Sequence, residues 1–135
     1  MSYKWNTRTE LLLGAERMEY LSHCHVLVVG LGGVGAYAAE QICRAGIGHM
    51  TIVDADTVND SNINRQLPAL HSTLGMQKAE VVGQRLLDIN PRLKLTILNE
   101  FLRDERTEEL LSAQKYDFIV DAIDSLSPKA YLLYH

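Results

Sequence analysis

Apolar and polar positions switch repeatedly between a helical and an extended period along the chain. Thr9 to Leu21 carries a helical pattern that breaks at Gly14. His25-Val26-Leu27-Val28-Val29 is a short, β-branched apolar run suited to a strand buried on both faces. Gly30-Leu31-Gly32-Gly33-Val34-Gly35 follows and opens an alanine-rich helix over 36–45, which Gly46 and Gly48 end. Met50-Thr51-Ile52-Val53 predicts a second strand, closed by Asp54-Ala55-Asp56. Residues 57–75 contain Asn, Asp, Ser, Pro and Gly and predict a long loop with a short helical turn, a length that is usually functional inside a compact domain. Met76 to Ile89 predicts a helix with Met76, Ala79, Val82, Leu86 and Ile89 on one face, stopped by Asn90-Pro91. Leu93 to Leu98 predicts a third strand and Thr107 to Ala113 a short helix. Phe118 to Ala122 predicts a fourth strand, again buried on both faces. From Ser127 to His135 another helix begins, with Pro128 in its first turn, so a piece of a longer domain is expected.

Strands alternating with helices imply an α/β fold with a parallel sheet and right-handed crossovers. The expected architecture is a Rossmann-like three-layer fold, mainly parallel, with strand order 3-2-1-4 for the part present. A helical segment over 1–24 precedes a nucleotide-binding domain over 25–135, the C-terminal part of which is expected to be missing. At 47% hydrophobic, the 135 residues suffice for one compact core. The net charge of −4 supplies no basic field for a nucleic acid. A polynucleotide substrate would therefore dock mainly on a local patch or outside these residues. Cys24 and Cys43 form no CxxC and sit among apolar neighbours, as reduced core thiols of a cytoplasmic protein do. The first ten residues are polar and carry no apolar signal core. No apolar run reaches the roughly 20 residues of a membrane span, so no membrane association is expected.

Strand order places the candidate chemistry. In the order 3-2-1-4 the chain reverses direction between its first and fourth strands, and ligands bind beyond the carboxyl ends of the strands there. Gly30, Gly32 and Gly35 form G-x-G-x-x-G between a strand and a helix, a context that makes the motif far stronger than a lone match. Such a loop lets the backbone approach phosphates, and the helix N-terminus adds N–H groups and partial positive charge. Asp54 ends the second strand, where a carboxylate can accept hydrogen bonds from ribose hydroxyls. To this point an NAD-dependent enzyme explains the pattern equally well.

Arg65, in Asn62-Ile63-Asn64-Arg65-Gln66, offers a fork suited to phosphate oxygens, although a lone arginine there could be merely solvated. Lys78 would ordinarily face solvent. In the first turn of a helix, however, a cation opposes the dipole by about 0.3–1 kcal/mol, which an anionic ligand would reconcile. A glycine loop, an arginine and a lysine together suit a triphosphate better than NAD. Asp121 and Asp124 end the fourth strand at the switch point, where a divalent ion would relieve their repulsion with the nucleotide. An N-cap role for Asp124 or Ser125 is the plainer alternative.

With these residues in place, the chain resembles the ubiquitin-activating-enzyme-like adenylyltransferases, the HesA/MoeB/ThiF superfamily. The resemblance spans about residues 8–133. It rests on Arg8 ahead of Gly14, the loop Gly30-Leu31-Gly32-Gly33-Val34-Gly35, Asp54-Ala55-Asp56, Asn62-Ile63-Asn64-Arg65-Gln66, Lys78, Asn90-Pro91 and Asp121-Ala122-Ile123-Asp124. It implies ATP and Mg²⁺ as cofactors, with Gly30, Gly32, Gly33, Gly35, Asp54, Asp56, Asn62, Arg65, Gln66 and Lys78 around the nucleotide. It also implies that Asp124 binds the metal and that Arg8 reaches a neighbouring subunit's site in a homodimer. Within the superfamily, Asn64-Arg65-Gln66-Leu67-Pro68-Ala69-Leu70 and Asp124-Ser125-Leu126-Ser127-Pro128-Lys129 are most similar to the tRNA threonylcarbamoyladenosine dehydratase family. The resemblance then implies tRNA as substrate and a sulfur-relay protein as a further partner, with the dehydration activity lacking in the piece by itself. The runner-up is adenylation of the C-terminus of a ubiquitin-like sulfur carrier.

Overall fold

The structure is a computed structural model that describes residues 4–123. A single 3₁₀ turn at Lys4–Asn6 leads into α1 (Thr7–Leu13) and α2 (Ala15–Ser22), and Gly14 divides the two helices as its place in the pattern predicts. The order continues β1 (His25–Val29), α3 (Gly35–Ala45), β2 (His49–Val53), α4 (Lys78–Ile89), β3 (Lys94–Leu98), α5 (Asp104–Ala113) and β4 (Phe118–Asp121). The strands form one sheet in the order β3-β2-β1-β4, every pairing parallel, as the alternation of strands and helices requires.

The period-two alternation of β1 divides the core into two layers. Val26 and Val28, with Met50 and Ile52 of β2, pack against Ala36, Ala39 and Cys43 of α3 and Ala79, Val82 and Leu86 of α4. Leu27, Val29 and Val53 face the other way, onto Leu102 and Leu110 at α5. The result is a sheet between α3 and α4 on one side and α5 on the other. Cys24 and Cys43 are free and buried, and burial pushes the Cys43 thiol up to about 11.

Three expectations need correction. The fourth helix begins at Lys78, not Met76, because the preceding backbone closes the long loop upon itself. Thr57 and Gln77 form an antiparallel bridge, and the Val58 and Gly75 amides donate to the Met76 and Val58 carbonyls, both at 2.8 Å. Gln77 is thereby held extended and Met76 is left exposed, apart from the buried positions Lys78, Ala79, Val82, Gly83 and Leu86. The short helix α5 starts three residues before Thr107, at Asp104, with Asp104 and Glu105 suitably placed in its first turn. Finally, β4 is not buried on both faces: Phe118 and Ile119 are exposed, and only its second half is partly covered. β4 lies at the edge of the sheet and pairs with β1 alone among the described strands.

Candidate functional site

The glycine loop leaves the carboxyl end of β1 through a turn that only glycine permits. Gly30 has φ +91°, and a Cβ there would lie 2.6 Å from the Ala122 carbonyl oxygen. A Cβ on Gly35 would lie 1.7 Å from the Gly30 carbonyl oxygen, so the two glycines let strand, turn and helix stack directly. Gly32 approaches the Gln66 side chain, whereas Gly33 faces open space. No side chain caps the N-terminus of α3, which leaves its first amides available to an anion.

The Asp54 carboxylate latches this loop to the end of β2. Its Oδ2 accepts the Leu31 amide at 2.7 Å and its Oδ1 accepts the Asp56 amide at 2.7 Å. Each oxygen retains a second lone pair, so a ribose could share the carboxylate with the backbone. Two residues on, the Asp56 carbonyl accepts the Lys78 amide at 3.0 Å, which brings the start of α4 beside the end of β2.

Lys78 is buried: its side chain is only 6% exposed, and its ammonium lies 3.8 Å from the exposed carboxylate of Asp56. The solvent-facing alternative for this lysine is thus excluded. The folded-back loop supplies the neighbouring groups. Asn62 is buried, and its Oδ1 accepts the Asn59 amide at 3.0 Å. Arg65 is exposed, with Nη1 donating to the Ser61 carbonyl at 3.1 Å and to Asn64 Oδ1 at 3.0 Å. Gln66 is buried and its Oε1 has no hydrogen-bond partner. A buried amide oxygen without a donor is unfavourable by about 1–3 kcal/mol, which marks Gln66 as awaiting one.

These residues surround a cavity of about 440 Å³ at the carboxyl ends of the strands. Gly30, Gly32, Asp54, Asp56, Asn62, Arg65, Gln66 and Lys78 all line it. Its walls differ by origin. The loop and the α4 terminus contribute cations and amides, while the sheet face beneath α5 contributes Val29, Val53, Leu102 and Ile123.

Gly33 and Gly35 do not line the cavity, nor does Arg8. Arg8 is an exposed residue of α1. Other residues of that helix region share a second cavity with Gly46, Gly48, Asn90 and Lys94, which lead into β2 and β3. α1 therefore sits at the amino ends of the strands, away from the glycine loop. Asp124 lies outside the described residues. Asp121 ends β4, where its carboxylate accepts the Ile123 amide at 3.2 Å. Among the described residues no three His, Cys, Asp or Glu side chains cluster as a metal site.

Sequence reasoning missed Glu100, Phe101 and Leu102, which follow β3 and line the cavity. The rule that ligands bind beyond strand carboxyl ends applies to β3 as much as to β1, but no motif marks these residues. The latch by Asp54 was equally unmarked.

This arrangement of glycine turn, latching aspartate and buried lysine coincides with a match to the ThiF family over residues 3–134. The chain belongs to the ThiF family. It is 39% identical to the tRNA threonylcarbamoyladenosine dehydratase of Escherichia coli (strain K12), an alignment that covers 98% of this chain and 50% of that protein. Another ThiF-type relative, the molybdopterin-synthase adenylyltransferase of the same organism, is 35% identical, with 84% of this chain and 45% of that protein covered. Among solved structures, the E. coli tRNA N6-threonylcarbamoyladenosine dehydratase in complex with ATP superposes with a TM-score of 0.90 at 39% identity. That match covers 97% of this chain and 55% of the solved chain. The ThiF-family chain described here thus spans about half the length of these relatives.

Proposed function

We propose that the protein activates a carboxylate by adenylation with ATP, and that the carboxylate belongs to threonylcarbamoyladenosine in a tRNA. One observation carries the first part: a single cavity is lined by apolar residues of the sheet face, by the Asp54 carboxylate and by Arg65 and Lys78. A nucleoside triphosphate has parts to match each, namely base, ribose and phosphates. In this reading Asp54 holds the ribose, while Asn62, Arg65, Gln66, Lys78 and the loop amides receive the phosphates. Asp56 neutralises Lys78 until the nucleotide arrives. The similarity to a dehydratase solved with ATP supports both the nucleotide and the tRNA substrate.

The substrate carboxylate attacks the α-phosphorus and pyrophosphate leaves with the bond electrons. Lys78 and Arg65 stabilise the charge that gathers on the transferred and departing groups. An internal nucleophile of the threonylcarbamoyl group then loses its proton as it closes onto the activated carbonyl. AMP departs with one carboxylate oxygen, and the substrate has lost the elements of water.

Magnesium usually needs only one or two carboxylates beside phosphate oxygens, and Asp56 at the cavity fits that requirement; the family resemblance adds Asp124, which lies outside the described residues. Bound there, the ion would neutralise phosphate charge. The distance of α1 from the glycine loop supports a homodimer in which Arg8 serves the other subunit's site. Unpaired buried thiols favour a cytoplasmic setting. A sulfur-relay protein as a further partner rests on the family resemblance alone.

The test is ATP–pyrophosphate exchange with the complete protein. Exchange that depends on tRNA bearing threonylcarbamoyladenosine is expected. Exchange that depends instead on a ubiquitin-like sulfur carrier would replace the tRNA reading, and tighter binding of NAD than of Mg-ATP would end the adenylation reading.

A further inference from the structure

We infer that Phe101 selects the base of the bound nucleotide, as an aromatic cover held in place by a Glu100–Arg106 clamp. The inference rests on the nucleotide reading above and adds to it the determinant of base choice. Phe101 is 66% exposed although it lines the cavity. Isolated exposed apolar residues are ordinary, so exposure alone says little. What distinguishes Phe101 is its setting. It sits in an irregular segment between β3 and α5, yet both of its neighbours are anchored.

Leu102 is buried among Leu27, Val29, Val53 and Leu110. On the other side, the Glu100 carboxylate accepts two hydrogen bonds from Arg106 of α5, one from Nε and one from Nη2 at 3.4 Å. Arg106 is itself braced by Glu109 at 3.3 Å. A bidentate arginine–carboxylate pair fixes orientation as well as distance. The backbone at Phe101 is therefore held from both sides while its ring stays free at the cavity rim.

The wall nearest in structure to this segment is the one beneath α5, where Val53, Leu102 and Ile123 offer no polar side-chain atoms. A base lying there gains from area and stacking more than from side-chain hydrogen bonds. A phenyl ring covers more of a purine than of a pyrimidine, so the arrangement favours ATP over CTP or UTP. Stacking of one base on one aromatic side chain corresponds to about a tenfold effect or more on affinity.

The experiment is calorimetry and ATP–pyrophosphate exchange on the complete protein, wild type against Phe101→Ala, Phe101→Tyr and Arg106→Gln. Phe101→Ala is expected to weaken ATP binding about tenfold and to shrink the preference for ATP over CTP by a similar factor. The affinity for inorganic tripolyphosphate should stay unchanged, because tripolyphosphate presents no base to the ring. Phe101→Tyr should restore both affinity and preference. Arg106→Gln should raise KM for ATP in the same direction by a smaller factor. Unchanged ATP affinity in Phe101→Ala, or a wild-type protein that binds ATP without preference over CTP, would overturn the inference while leaving the adenylation reading intact. Loss of tripolyphosphate binding together with ATP in Phe101→Ala would overturn it as well, by exposing a general disturbance of the site. A wild-type protein that binds NAD and not ATP would remove the functional reading itself, and base selection with it.

Discussion

Replacing Lys78 by methionine should leave the protein as stable as before, or more stable, while removing most of its activity. The ammonium is 6% exposed and its charged partner, Asp56 at 3.8 Å, is 58% exposed. At the effective dielectric of a near-surface pair, that separation gives an attraction of about 4 kcal/mol. Withdrawing the ammonium from water costs several kcal/mol, so the two terms nearly cancel. Methionine matches the lysine stem in length and needs no partner. The expected change in stability is between zero and a gain of about 1–4 kcal/mol, the range seen when buried ion pairs give way to apolar residues, with the exposure of Asp56 favouring the low end. For a chain of this size a gain of 1 kcal/mol raises Tm by about 4 °C. Pyrophosphate exchange should fall by about 10²–10³-fold, the usual consequence of losing one preorganised charge-stabilising donor. The reciprocal variant, Asp56→Asn, should be less stable than Lys78→Met, because it leaves a buried charge without its partner. Thermal unfolding and exchange kinetics on the three proteins decide the matter. A Lys78→Met protein that exchanges pyrophosphate normally, or that unfolds well before wild type, would refute the view that the lysine is kept for its ligand.

Other consequences are as direct. Asp54→Ala should destabilise the protein by about 3 kcal/mol even without nucleotide, the low end for two hydrogen bonds to a charged group at about 1.5–3 kcal/mol each, because one of the two is exposed; an unchanged denaturation midpoint would mean that the latch contributes nothing. Gly35→Ala, whose Cβ would meet the Gly30 carbonyl oxygen at 1.7 Å, should cost about 3 kcal/mol or more and displace the loop, measurable as a lowered Tm with lost nucleotide binding. His25 stacks on His49 with ring centroids 3.6 Å apart, and burial, then the proximity of His49, lowers its pKa from 6.5 to about 4. The folded protein then binds fewer protons than the unfolded chain between those values. The contribution of His25 is complete above pH 6.5 and is lost as pH falls toward 4, so Tm should decline across that window and His25→Gln should flatten the decline.

Much of the architecture is legible along the chain because its causes are local. Alternation of apolar runs with helical periods, the break at Gly14 and the glycine turn after β1 each follow from a few consecutive residues, and together they imply the order β3-β2-β1-β4. That order alone brings the glycine loop next to the end of β4. Lys78 and Arg65 could be singled out as cations suited to phosphate beside a glycine loop, but their surroundings could not. Burial of Lys78 follows from a bridge between Thr57 and Gln77, residues that the sequence pattern assigns to loop and helix. Asp54 reaches Leu31 across 23 positions, and the Glu100–Arg106 clamp forms only once α5 has docked on the sheet. The exposure of β4 and the position of α1 at the far end of the strands were likewise settled by packing. Periodicity records which face of an element is apolar. Which groups meet across that face depends on registers and loop closures summed over the whole fold, and those exist only in three dimensions.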